Sequence, residues 1–180
     1  MQIGREEWNA CAQSGEERNP FVQWEFLAAL EDSQSAVREK VRCSEAQVGG
    51  SLRRCVNAWC AGLTAGVQGW LPQHIALRDV RGGLLAVCPL YVKGHSYGEY
   101  VFDSSWAQLH AQLGEPYYPK LQSCVPFTPV TGPRVLVRGG EGEEGTAIAR
   151  GAVLETLQRV TDAMGVRARR VGVGSGMRCV

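Results

Sequence analysis

The stretch "WLPQHIALRDVRGGLLAVCPLYVKG", residues 70–94, constrains this chain more than any other. Two β-favouring runs flank "DVRGG", a turn rich in residues that accept positive φ, so the stretch predicts a β-hairpin. Cys88 and Pro89 interrupt the second run, and proline has no N–H to give to a ladder, so an edge or a bulge is expected there. His74 falls near the start of the first strand.

Helical signals lie on either side. In "RNPFVQWEFLAALE" Asn19 reads as an N-cap and Pro20 as the first helical residue, where its missing N–H costs nothing. Phe21, Trp24, Leu27, Ala28 and Leu30 then share one face at helical spacing. "FDSSWAQLHAQLG" predicts a short helix capped by Asp103 or Ser104, with Trp106 and Leu109 inward and Gly114 as its stop. Three prolines between Val125 and Pro133 forbid a helix or a long strand, after which "RVLV" reads as a short strand. An acidic loop, "EGEEG", leads to a last helix in which Val153, Leu154, Leu157, Val160 and Met164 recur at helical spacing and Gly165 ends it.

The order helix, hairpin, short helix, strand, helix gives an α/β (α+β) fold, a mixed, largely antiparallel sheet flanked by helices. One domain over residues 1–165 is expected, since 180 residues leave little room for two. Residues 33–69 have broken periodicity and read as a surface insertion, partly helical near Leu52 to Cys60; Arg53, Arg54 and Trp59 are too few for an RNA-binding surface. Residues 166–180 are basic, Gly-rich and without a core-forming face, and read as a disordered tail.

Charge and cysteine usage exclude several functions. A net charge of +1 provides no field for steering onto nucleic acid or anionic lipid, and no apolar run is long enough to span a membrane. Seven scattered cysteines, an odd number, argue for reduced thiols and a cytoplasmic location. Cys55 and Cys60 enclose four residues with no second pair at zinc spacing, so small apolar filler is the simpler reading.

Three arrangements bear on chemistry. In "YVKGHSYGEYVFD", His95, Glu99 and Asp103 are spaced by four, which on a helix stacks them as an acid/base or metal cluster. Gly94, Gly98 and the surrounding aromatic and β-branched residues favour an extended or looped backbone instead, on which His95 and Glu99 still share a side; a hydrogen-bonded structural loop is the competing reading. In "YYPKLQ" with "VPFTPVTGPR", Lys120 offers a cation and Thr128 or Thr131 a hydroxyl beside Tyr117, Tyr118 and Phe127, a pocket suited to a peptide or sugar, or else a rigid proline corner. "RGGEGEEG" sits where a phosphate cradle would, but Glu141, Glu143 and Glu144 repel phosphate and complement the helix dipole instead.

In this order, "EEWNA", "NPFVQWEFLAALEDS", "GWLPQHIALRD", "PLYVKGHSYGEYVFDSSWA", "YYPKLQSCVPFTPVTGPRVLV" and the final helix, roughly residues 5 to 164, resemble the amino-terminal part of a FemAB-like group of the GNAT acyltransferase superfamily. Members are commonly labelled peptidoglycan biosynthesis or recognition proteins. The resemblance implies a GNAT-like fold, an incomplete half of a protein built from two, with the second half as missing partner. It implies acyl or aminoacyl transfer to a small-molecule, peptide or glycan amine acceptor, with no tightly bound cofactor and with acyl-CoA or aminoacyl-tRNA as co-substrate. Nucleic acid enters only as that tRNA. His95 and Glu99 then become the proton-accepting residues, and Lys93, Asp103, Tyr118, Lys120, Thr128 and Thr131 the substrate-facing ones, Lys120 toward a donor phosphate or substrate carboxylate. No metal is expected. A half-protein is expected to be inactive alone, and a non-catalytic peptide- or glycan-binding or partner-docking module is the alternative.

Overall fold

In a computed structural model, the protein is described at residues 1, 3–15, 18–36, 69–97, 99 and 103–164, and as backbone at 43–47 and 53–57. The tail read over 166–180 and the helix stop at Gly165 lie outside the described residues. Among the described residues four helices, α1 (Arg5–Ala12), α2 (Trp24–Asp32), α3 (Ser104–Gln112) and α4 (Gly142–Ala163), accompany eight strands. These are β1 (Cys43–Gln47), β2 (Arg53–Asn57), β3 (Trp70–Pro72), β4 (Ile75–Arg78), β5 (Leu84–Cys88), β6 (Tyr91–Lys93), β7 (Lys120–Gln122) and β8 (Leu136–Val137). One sheet has the order β1-β2-β4-β5-β8 and the other β3-β6-β7.

The α+β class holds, with one correction: every pairing among the described strands is antiparallel, so the sheets are not mixed. The short turn over residues 79–83 allows β4 and β5 only an antiparallel pairing, since a parallel pair needs a crossover of about a dozen residues or more. The stretch near Leu52 to Cys60, read as partly helical, contains β2, and the segment read as a surface insertion supplies two strands of the larger sheet.

The predicted hairpin is present as β4 and β5. At its turn Asp79 Oδ1 accepts from the N–H groups of Arg81 and Gly83, both at 2.8 Å, and Gly82 takes φ +88°. The irregularity lies near the turn and not at Pro89: Leu77 pairs with Ala86 and Arg78 with Leu84, leaving Leu85 as the extra residue. This bulge resets the alternation, so Leu84 joins the core on one face and Ala86 and Cys88 that on the other. At Cys88–Pro89 the chain instead leaves one sheet for the other.

Two cores follow from that alternation. Ala76, Leu84, Val87 and Leu136 pack on Trp8, Cys11, Val22 and Leu27 of the α1 to α2 segment. Ile75, Leu77, Ala86, Cys88 and Val137 pack on Ala149, Ala152 and Val153 of α4. Of the stripe expected on α4 Val153 is fully buried and Leu157 packs partly buried against the same core, with Ala149 and Ala152 completing the contact. The acidic residues read as a loop form the first turn of α4, where their charge complements the helix dipole.

The helix expected from Pro20 is divided. Asn19 Oδ1 accepts from Phe21 N–H at 3.0 Å and Pro20–Val22 form one 3-10 turn, but Gln23 is extended and α2 starts afresh at Trp24. Its cap comes from α1, since Trp24 N–H donates to Asn9 Oδ1 at 2.9 Å. On α3 the expected inward residues face out, Trp106 at 53% and Leu109 at 44% exposure. Gly114, at φ +71°, follows α3 as expected.

Trp8 is fully buried, and its Nε1 donates to Val22 O at 2.8 Å, joining α1 to the 3-10 turn. Trp8→Ala is expected to cost about 3–5 kcal/mol of unfolding free energy by urea denaturation. Ile148→Ala, at an exposed position on α4, is expected to change it by less than about 0.5 kcal/mol.

Candidate functional site

The smaller sheet builds the site through its register. Trp70 on β3 lies opposite Lys93 on β6, which lies opposite Lys120 on β7, so the three side chains stand in one row on one face. Next to the row, Tyr91 meets the Trp70 ring edge-on at 5.4 Å, and Phe127 meets it at 5.8 Å. The row thus has an aromatic floor.

The loop after β6 folds back over this row. Gly94 N–H donates to Gly69 O at 3.0 Å, and Glu99 N–H to Ser96 O at 3.4 Å. This places Glu99 on Lys93 and Asp103 on Lys120. Lys93 Nζ lies 2.5 Å from Glu99 Oε1 and 3.8 Å from the Trp70 ring centre, and Trp70 Nε1 donates to the same oxygen at 2.6 Å. The Lys93 side chain is 1% exposed. Burial pushes its pKa down, Glu99 acts to raise it, and the Lys120 charge lowers it further.

The second pair is more open. Lys120 Nζ lies 2.5 Å from Asp103 Oδ2, with side chains 23% and 13% exposed. Asp103 also accepts from Tyr118 Oη at 2.7 Å and from Ser96 Oγ at 3.0 Å, while Lys120 donates to Tyr117 Oη at 3.2 Å. Partial burial acts to raise the Asp103 pKa, but Lys120, Tyr118 and Ser96 together hold it below its ordinary value. Burial and the Asp103 charge raise that of Tyr118, so its phenol stays a donor.

Five of the residues named from sequence therefore meet: Lys93, Glu99, Asp103, Tyr118 and Lys120. His95 sits at the rim. Its ring lies 5.0 Å from that of Tyr97, its Nδ1 accepts from Tyr97 N–H at 3.4 Å, and a Cβ on Gly69 would stand 3.0 Å from it. The metal cluster weighed for His95, Glu99 and Asp103 does not form, because each carboxylate is taken by a lysine; among the described residues no group is arranged to hold a metal. Thr128 follows Phe127, which packs on Trp70. The backbone carbonyl of Thr131 accepts from Asn19 Nδ2 at 3.2 Å. Sequence reasoning missed Trp70 and Ser96; the signal for Trp70 was the hairpin register, which sets it opposite Lys93.

The model of a family described as FemAB-like, peptidoglycan biosynthesis/recognition, matches residues 53–172, about two thirds of the chain. The chain belongs to the FemAB-like family. The match starts at Arg53, later than the resemblance read from residue 5, and it takes in the whole lysine row and both carboxylates. No curated protein and no solved structure matches the chain. Among the described residues no helix is long and apolar enough to cross a membrane.

Two outcomes follow from this geometry. Lys93→Met leaves the Glu99 carboxylate buried without its cation and is expected to destabilise the protein by about 3–5 kcal/mol, whereas Lys93→Met with Glu99→Gln recovers most of the loss. Equilibrium denaturation of the two variants checks this. Asp103, with a folded pKa below its ordinary 3.8, contributes stability that is present above that value and lost as pH falls through the folded pKa. Asp103→Asn is therefore expected to flatten the acid limb of a stability profile recorded from pH 5 downwards.

Proposed function

We propose that this FemAB-like chain takes part in acyl or aminoacyl transfer to an amine acceptor carried by a peptidoglycan-type peptide or glycan, on a GNAT-like scaffold. The observation that carries the reading is the aromatic-floored row in which two lysine–carboxylate pairs are held side by side within the stretch matched by the family. A buried ion pair is seldom the most stable filling for a protein interior, so the Lys93–Glu99 pair in its aromatic setting favours a functional reason.

In such a transfer the amine nitrogen attacks the acyl carbonyl, the N–C bond forms, and the C–S bond of an acyl-CoA or the C–O bond of an aminoacyl-tRNA breaks. The amine proton passes to a base and from there to the departing sulfur or oxygen. His95 at the rim and Glu99 in the row are the groups assigned to accept it. Asp103, Tyr118, Lys120 and Thr128 are assigned to the acceptor side, with the enclosed Lys93 holding Glu99 in place beneath them, and no covalent enzyme intermediate is required. Either co-substrate is held only during turnover.

A binding role without transfer is the second reading, favoured by the Glu99 carboxylate being already engaged by both Lys93 and Trp70. The two separate on one assay. With acyl-CoA or aminoacyl-tRNA and a peptidoglycan stem peptide, the transferase reading expects His95→Ala with Glu99→Ala to lower turnover by about 10²-fold or more. Unchanged turnover in that double variant removes the acid/base assignment, and peptide binding with no product from the native chain favours the binding role.

A further inference from the structure

Lysine is scarce here. The chain has 3 lysines, Lys40, Lys93 and Lys120, against 16 arginines, and two of the three stand in the row on the smaller sheet. Arginine meets carboxylates through a planar fork, whereas lysine ends in a compact primary ammonium. The two ammonium groups have similar surroundings, each on a carboxylate and beside an aromatic ring. For Lys120 the rings are those of Tyr117 and Tyr118, with centres 4.7 and 5.5 Å from Nζ.

The two sites differ in whether their ammonium can leave. Lys93 is shut in, 1% exposed and lying over Trp70. Lys120 is 23% exposed. Its partner carboxylate is also fixed without it, because Tyr118 Oη and Ser96 Oγ hold both Asp103 oxygens from separate parts of the chain. Asp103 occupies the N-cap position of α3, where an aspartate would ordinarily accept from the helix N–H groups, yet its side chain makes no cap hydrogen bond. The carboxylate is turned away from that local partner and into the cage.

We propose that Asp103, Tyr117, Tyr118 and Ser96 form a receptor for a primary ammonium, in which the Nζ of Lys120 stands in for the amine of the acceptor. The proposal rests on the amine-acceptor reading above and reverses the role of Lys120, from anchor of an anionic substrate to internal competitor of a cationic one. When Lys120 swings out, the acceptor ammonium takes its place on Asp103 Oδ2, with the tyrosine faces and the Tyr117 hydroxyl around it.

Binding of n-butylammonium, measured by calorimetry on the full chain at fixed ionic strength, tests this apart from any transfer. Lys120→Met frees the cage and is expected to tighten binding by about tenfold or more, as removal of a competitor that occupies the site most of the time requires. Adding Asp103→Asn to Lys120→Met is expected to abolish that gain. Equal or weaker binding in Lys120→Met, or a gain that survives Asp103→Asn, overturns the proposal. A second measurement needs no variant: in protein labelled with 15N-lysine, n-butylammonium is expected to shift the Lys120 side-chain signal toward that of a free lysine and to leave Lys93 unmoved. An unmoved Lys120 signal at saturating amine overturns the proposal too. If ammonium binds as expected and no acyl transfer is found, the receptor stands and the transferase reading falls.

Discussion

The site depends on a bend. From Trp70 to Lys93 the chain runs as two long antiparallel arms that change sheet midway, at Gln73–His74 on one arm and Pro89–Leu90 on the other. Pro89 has no N–H to continue the ladder. The joint is closed by Gln73 N–H on Leu90 O at 2.7 Å and by Leu90 N–H on His74 Nδ1 at 3.2 Å. The imidazole thus serves as a backbone acceptor at the point where the arms change sheet. Trp8 and Tyr91 pack on it at 5.3 and 5.1 Å, and its other nitrogen lies 3.4 Å from buried Glu31. This joint lets the larger sheet lie between helices while the smaller one keeps a face for polar work.

On that face electrostatics sets the loop conformation. Lys93 and Lys120 are directly opposite each other on adjacent strands, an arrangement that is unfavourable for like charges. Two carboxylates from one short loop, Glu99 and Asp103, relieve it, one per lysine. The loop therefore folds back for a reason stronger than its own local preferences. Trp70 binds both members of one pair, with its ring to the cation and its N–H to the anion, so the floor of the site also fixes its charges.

Much of the fold was legible because its signals are local. "DVRGG" specifies a turn through Asp79 and Gly82, Asn19 and Pro20 specify a 3-10 turn, and Gly114 a helix stop. What failed depended on distant partners. Asn9 caps a helix fifteen residues on, Ala149 and Ala152 join Val153 and Leu157 of α4 against the sheet, and Trp106 and Leu109 face solvent on a helix whose pattern had pointed them inward. At the site, the density of titratable groups in "YVKGHSYGEYVFD" was visible, and Lys93, Glu99, Asp103, Tyr118 and Lys120 do converge. Their pairing was not visible. A spacing of four suggested that His95, Glu99 and Asp103 act together, whereas strand register gave the carboxylates to lysines on β6 and β7.

The same register explains why the two pairs differ although their chemistry is alike. β6 is the central strand of the smaller sheet, flanked by β3 and β7, so Lys93 is enclosed by neighbours on both sides. Among the described strands β7 pairs with β6 alone, and Lys120 is 23% exposed. Burial strengthens an ion pair once it is formed and makes breaking it costly, so the central pair acts as a fixed part of the frame. An edge pair of the same composition is screened by solvent and exchanges more readily. One row of three residues across a three-stranded sheet thus yields a rigid charge pair and a labile one side by side, which is the division of labour a site needs if one part is to hold its shape while the other changes partners.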